Sequence, residues 1–270
     1  MGEMTTLPLY DVWERNSLKK LSMTESVRSY TSCGPKRLHC LQSMAGILFI
    51  ISAPSGSGKS TLVGQVRSLV EGLDFSISYT TRAPRGSETD GREYHFTSRS
   101  IFERMIGDGE FLEWADVFGD YYGTTRLSLD YAREMGRDLI LDIDVQGALQ
   151  VMQMLPQAVS IFIMPPSPDV LELRLRNRSI AEKMTDEEKI ERRLQQARCE
   201  LEQVWDYKYA LVNDVLDQAT SEMRAIVLYE RGLDDGVEKL AASCRTSTHS
   251  PRLDAALSSF RVARAHWSAQ

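Results

Sequence analysis

Four groups of residues in the 270-residue chain have types and spacings suited to phosphate chemistry. The first is Ala53-Pro54-Ser55-Gly56-Ser57-Gly58-Lys59-Ser60-Thr61, a small-residue turn that ends in a lysine and two hydroxyls. Glycines in such a turn let backbone N–H groups face phosphate oxygens where a Cβ would obstruct them. Lys59 then reaches the β- and γ-phosphates, and the Ser60 hydroxyl suits Mg²⁺. Ala53 stands where a glycine is usual, which requires a negative φ at that residue. The second group is Arg82 and Arg85, held in one loop by the Ala83-Pro84 between them. Two guanidinium forks in one turn suit a phosphate dianion, with the Tyr94 and Tyr122 hydroxyls as nearby donors; the alternative is a solvated basic turn. The third is Arg174, Arg176 and Arg178 followed by Arg192 and Arg193. Such arginines either neutralise a transferring phosphoryl group or sit solvated beside neighbouring glutamates, and the second description suits Arg176 and Arg192 best. The fourth is Asp142 and Asp144, two residues apart at the end of an apolar run, a spacing that puts both on one side of a strand. Asp142 takes the position of an acid that orients the water shell of Mg²⁺, while the plain role of Asp144 is a helix N-cap.

These residues need a scaffold. The apolar, β-branched run Ile47–Ile51 before the glycine turn and the helical pattern after it read as strand, loop and helix, the order a P-loop requires. Further strands are expected at 75–79, 138–142, 159–164 and 209–212, with helices at 61–70, 127–135, 145–154, from Asp169 onward, from the capping box Thr185-Asp186-Glu187-Glu188 to about Trp205, and at 216–229. Alternating apolar strands and helices predict an α/β three-layer fold around a central parallel five-stranded sheet, with ligands at the carboxyl ends of the strands. Residues 78–125, rich in short strands and turns, break that rhythm and read as an inserted small mixed α/β subdomain carrying specificity.

Composition bounds the rest. The chain is 42% hydrophobic and 26% charged, which suits a globular protein of one large or two small domains. A net charge of −6 argues against nucleic acid or a membrane surface as partner, and no apolar run approaches the ~20 residues of a membrane helix. Glu3, Asp11 and Glu14 interrupt any signal-peptide pattern, and four cysteines without CxxC spacing read as reduced thiols, so a cytoplasmic location is expected. Cys33, His39 and Cys40 lack a fourth metal ligand. Residues 1–45 read as a flexible N-terminal extension, within which Met23 and Met44 sit where a shorter chain could begin. Residues 233–270 read as a partly flexible C-terminal extension, with a Ser/Thr-rich linker at 243–251 and a short amphipathic helix at 253–267 whose partner is not visible. Nothing in the sequence separates a monomer from a homo-oligomer.

The chain resembles the guanylate kinases over about residues 46–232, through SAPSGSGKST (52–61), SYTTRAPR (78–85), GREYHF (91–96), FLEWA (111–115), DYYGT (120–124) and LDIDVQG (141–147). The resemblance implies phosphoryl transfer from MgATP to GMP or dGMP, giving ADP and GDP. It assigns the acceptor phosphate to Arg82, Arg85, Tyr94 and Tyr122, and guanine to Ser78, Glu113, Thr124 and Asp144. Guanine offers N1–H and N2–H₂ as donors, which suits two carboxylates, and O6 as an acceptor, which suits two hydroxyls. Adenine presents the opposite polarity, and unpaired buried polar groups disfavour it strongly. The resemblance also implies a helical lid over about 174–198, whose Arg174, Arg178 and Arg193 close over the triphosphate, and a donor-side loop at Asn213-Asp214. Related guanylate-kinase-like domains bind peptides through the old GMP pocket without catalysis. Those have degraded P-loops, whereas Gly58-Lys59-Ser60 is intact here. A kinase for another nucleoside monophosphate is the remaining alternative.

Overall fold

Hydrophobic pattern places five strands together first. In a computed structural model of the chain, which describes residues 46–181, 187–233 and 236–262, the strands β1 (Leu48–Ser52), β2 (Leu73–Phe75), β7 (Asp138–Asp142), β8 (Val159–Met164) and β9 (Tyr209–Val212) form one sheet in the order β2-β7-β1-β8-β9. All four pairings are parallel. Strands β1 and β8 are buried throughout, as expected of runs that present apolar side chains to both faces. Residues 1–45, the Cys33–His39–Cys40 group, Thr185-Asp186 of the expected capping box and residues 263–270 lie outside the described residues.

Helices cover both faces. Leu48, Ile50, Leu139, Leu141, Phe162 and Met164 point to one face. There they meet α3 (Arg126–Glu134), α4 (Val145–Met154), α5 (Pro168–Ala181) and α6 (Glu187–Leu201). Phe49, Ile51, Ile140, Ile161 and Ile163 point to the other, against α1 (Lys59–Leu69) and α7 (Leu216–Glu230). The strand period of two divides each strand between the two cores. Asp138 ties the start of β7 to the residue before β1 and to the end of α7, because its carboxylate accepts from the Ile47 amide (2.7 Å) and the Arg231 guanidinium (2.6 Å).

The expected strand at 75–79 is corrected. Strand β2 ends at Phe75, and Ser76 still donates to Ile140 O (2.9 Å), but Ser78 O accepts from His95 N in a different sheet. Alternation continues through the segment, so pattern alone does not register that the chain changes partners at 76–78. The second sheet runs β4 (His95–Phe96), β3 (Tyr79–Thr80), β6 (Asp120–Thr125), β5 (Phe111–Val117). It is mixed, with β3 and β4 parallel and the other pairs antiparallel. Phe102 and Met105 of α2 (Arg99–Gly107) pack with Phe111 as its own small core.

The chain beyond Gly232 is also more ordered than its weak periodicity implies. A helix, α8 (Glu238–Ser243), occupies part of the stretch expected to lead into a linker, and Ala241 and Cys244 join one core. The amphipathic helix is α9 (Pro251–Ser259), and Leu253, Ala256, Leu257 and Phe260 join the opposite core. Ser250 caps α9 and Pro251 occupies its first turn, a favourable helix start.

Candidate active site

The glycine turn closes as the phosphate reading requires. Ser57 N donates to Pro54 O (3.1 Å), and Gly58, with φ +83°, precedes α1 without any side-chain cap, leaving first-turn N–H groups for an anion. Ala53 keeps a negative φ, since only Phe118 and Arg261 among the described non-glycine residues are positive. A Cβ on Gly58 would lie 2.5 Å from Asn213 Nδ2, so glycine is required here twice over. Lys59 leaves the start of α1, donates to Ile143 O (2.7 Å) and forms an ion pair with Asp142.

Facing the turn is a cleft of about 930 Å³, at the large end for small-molecule sites. Residues 53–61 form one wall, Ser78, Arg85, Tyr94, Glu113 and Tyr122 the opposite one, and Asp142 and Asp144 the floor. Arg174, Arg178 and Arg193 reach it from α5 and α6. Three sequence-predicted residues are held one layer back. Arg82 lies beneath the acceptor wall, Thr124 is fully buried, and Asn213 sits behind the phosphate turn.

Arg82 departs most from expectation. Its fork is bidentate to Glu88 (2.9 and 3.0 Å), Nη1 also donates to Ala83 O (2.7 Å), and Nε donates to the Tyr122 hydroxyl (3.1 Å). Glu88 accepts as well from the Arg85 amide (2.7 Å). Burial opposes charge on both partners, but their hydrogen bonds outweigh it, raising the Arg82 guanidinium and lowering the Glu88 carboxyl relative to their ordinary values. Arg85 and Tyr94 of this loop and Tyr122 of β6 thus border the cleft, while Arg82 braces them from behind. Glu88 escaped the sequence reading, because Asp90 and Glu93 in the same loop carry the same local signal. Tyr94 is pushed up to about 12, by burial and then by Asp142 and Tyr122, so it stays a hydroxyl donor at neutral pH.

The other end of the acceptor wall is carboxylate and hydroxyl. Ser78 and Thr124 share a hydrogen bond (3.1 Å). Glu113 is 4% exposed, and a Cβ on Gly147 would lie 2.3 Å from its Oε2, so the first turn of α4 packs directly onto it. Asp144 is the N-cap of α4, accepting from Gly147 N at Oδ1 (2.7 Å). The cap role is therefore filled by one oxygen, while the residue also lines the cleft. Strand β7 stops at Asp142, so Asp144 is placed by the cap rather than by strand alternation. Glu113 Oε1 and Asp144 Oδ2 are both buried with no hydrogen-bond partner among the described residues. Burial, reinforced by Asp144 and opposed by Thr124, pushes Glu113 up to about 7.

The lid arginines divide. Arg174 donates to Ser57 O (3.3 Å) and Asn213 O (3.0 Å), and Asn213 Nδ2 donates to Ser57 O (2.8 Å). Arg176 is engaged by Glu172 and Glu187, as its surroundings suggested. Arg192 pairs with Glu188 and still borders the cleft. Gln196 and Glu200 of α6 border it too and escaped the sequence reading, because a glutamate on a charged helix gives no local signal. Burial, with a smaller push from Asp144, raises Glu200 to about 7 against the pull of Gln196 and Lys59.

A glycine turn at the carboxyl ends of a parallel sheet, facing Arg85, Tyr94, Tyr122 and Glu113 across one cleft, has the architecture of a P-loop phosphotransferase. Comparison makes that specific. The model of the guanylate kinase family matches residues 46–230. The guanylate kinase of Koribacter versatilis is 55% identical over 188 residues, which cover 70% of this chain and 80% of that protein. That of Nitrosospira multiformis is 46% identical over 186 residues, 69% and 87% of the two chains. The crystal structure of guanylate kinase from Anaplasma phagocytophilum superposes with a TM-score of 0.56 at 32% identity, covering 74% of this chain and 95% of that one. The chain belongs to the guanylate kinase family, the ATP:GMP phosphotransferases.

Proposed function

We propose that the cleft transfers the γ-phosphoryl group of MgATP to GMP or dGMP, with residues 53–61 holding the donor and the opposite wall the acceptor. The observation that carries the acceptor's identity is the pair of unpartnered buried oxygens, Glu113 Oε1 and Asp144 Oδ2. Two carboxylate oxygens without donors are costly unless a ligand brings N–H groups, and guanine's N1–H and N2–H₂ are such groups. Ser78 completes the edge at O6, with Thr124 behind it through their shared hydrogen bond (3.1 Å). Arg85, Tyr94 and Tyr122 take the acceptor phosphate, and Arg82 supports them from behind through Glu88 and Tyr122.

No general base is needed, because the acceptor phosphate is already an anionic nucleophile. One of its oxygens attacks the γ-phosphorus in line, a new P–O bond forms, and the bond to the β–γ bridging oxygen breaks to release ADP. Lys59 and the lid arginines Arg174, Arg178 and Arg193 offset charge on the phosphoryl oxygens, and lid closure excludes water. Asn213 acts on the donor through Ser57 rather than by touching it.

The Ser60 hydroxyl and the Asp142 carboxylate both border the cleft beside the phosphate turn. Two hard oxygen groups, with no cluster of three acidic, His or Cys side chains among the described residues, suit Mg²⁺ held mostly by phosphates and water. Asp142 would act on it through water. When bound, the ion supplies charge neutralisation across the phosphate oxygens. Among the described residues no helix is long and apolar enough to cross a membrane; a cytoplasmic site of action rests on the cysteine usage and the nucleotide substrates. A coupled assay of ADP release offered GMP, AMP, UMP and TMP side by side tests the assignment. Turnover is expected with GMP and lost by orders of magnitude with the others; equal turnover with AMP would overturn the pocket.

A further inference from the structure

The family match ends at residue 230, and the chain beyond it returns to the donor site. Helix α9 is seated by its apolar face, with Leu253, Ala256 and Leu257 each about 3% exposed. From its first turn Arg252 reaches the other way, onto polar groups that the helix does not need for its own packing. Its guanidinium donates to Val212 O, the last residue of β9, to both carboxylate oxygens of Asp214 and to Glu222 of α7. Val212 and Asp214 flank Asn213. Asn213 donates to Ser57 O (2.8 Å), accepts from Arg174 Nη2 (3.0 Å), and fills the space that a Cβ on Gly58 would need.

We propose that Arg252 is a positioning residue for the donor site, through which the C-terminal helix holds the Val212–Asp214 loop and so sets the phosphate turn and Arg174. The physical link is short. A guanidinium fork bonded on both sides of Asn213 fixes that residue's backbone, and among the described residues Asn213 has hydrogen bonds to the turn, to the lid and to Met164 O but none to the acceptor wall. Among the described residues, none of these hydrogen bonds involves Glu113 or Tyr94. Loosening it therefore weakens the grip on ATP and leaves GMP recognition in place. The inference rests on reading residues 53–61 as the donor site.

The test uses the full chain and measures KM for ATP and GMP separately in Arg252→Met, Arg252→Lys and Asp214→Asn. Arg252→Met is expected to raise KM for ATP about tenfold, the scale of one lost charge-assisted bond, with KM for GMP within about twofold of wild type. Arg252→Lys should restore part of the loss, and Asp214→Asn should reproduce it more weakly. Should Arg252→Met not fold, the other two variants carry the same comparison. A fall in melting temperature with both KM values unchanged, or a rise in both together, overturns the proposal and makes Arg252 a structural strut. Wild-type protein that never saturates with ATP would instead sink the donor-site reading itself, which keeps the two failures apart.

Discussion

Glu113 shows most directly how function is set against stability at a single residue. It is buried beside Asp144, its Oε1 lacks a partner, and it is pushed up to about 7, chiefly by burial. On the proposed contact with the guanine N–H groups it is the ionised form that binds, so GMP binding should release a proton near neutrality. KM for GMP should rise as pH falls through 7, while Glu113→Gln should bind GMP weakly and without that inflection; a pH profile of KM checks both. Stability carries the opposite sign. A carboxyl whose folded value lies above the ordinary 4.5 favours the folded state at low pH and loses that contribution as pH rises toward 7. Unliganded Glu113→Gln should therefore melt higher than wild type at pH 8, read by calorimetry. Lys59 is a simpler case. Its ammonium lies at the phosphate turn against Ile143 O and Asp142, and Lys59→Met should cost at least about 10³ in kcat. Unchanged turnover would contradict the donor assignment.

At the scale of elements, the acceptor loop and the C-terminal helix show that supports lie outside the motifs. The Arg82–Glu88 pair occupies the loop between β3 and β4, and its bidentate bond orients Tyr122 and the Arg85 amide together. Glu88→Ala removes those acceptors from a guanidinium that is 7% exposed, and should cost about 1–3 kcal/mol of stability. The same variant should raise KM for GMP more than KM for ATP, since the disturbed residues face only the acceptor. Helix α9 contributes to one core on the same terms as the helices within the family match. Leu257→Ala, at 3% exposure, should destabilise the whole domain by about 2–5 kcal/mol in denaturant melts. A negligible effect would mean that the helix is a dispensable appendage.

Over the whole molecule, the two-sided parallel sheet is the frame that brings separate loops to one cleft. The phosphate turn follows β1, Asp142 ends β7 with Asp144 just beyond it, and Asn213 after β9 backs the turn through Ser57, so three carboxyl ends converge while the inserted sheet supplies the opposite wall. The strands of the parallel sheet were legible because runs such as Val159–Met164 are apolar at all but one position, a pattern with one economical burial in an α/β fold. The exchange of sheets at 76–78 was not legible, because alternation continues unbroken while hydrogen-bond partners change. The same logic hid Glu88, Glu200 and Arg252. A surface-like glutamate or arginine acquires its role only from residues distant in the chain, as Arg252 does from Asp214 and Glu222. What the amino-acid order determined alone was local: the strand–turn–helix of a P-loop, the periods and the family they signal. Those depend on neighbours within a few residues. Which arginine faces the cleft and which braces it, which oxygen of Asp144 caps and which is left for a ligand, and where the C-terminal helix reaches were decided by packing, because burial and hydrogen-bond satisfaction are properties of the assembled chain.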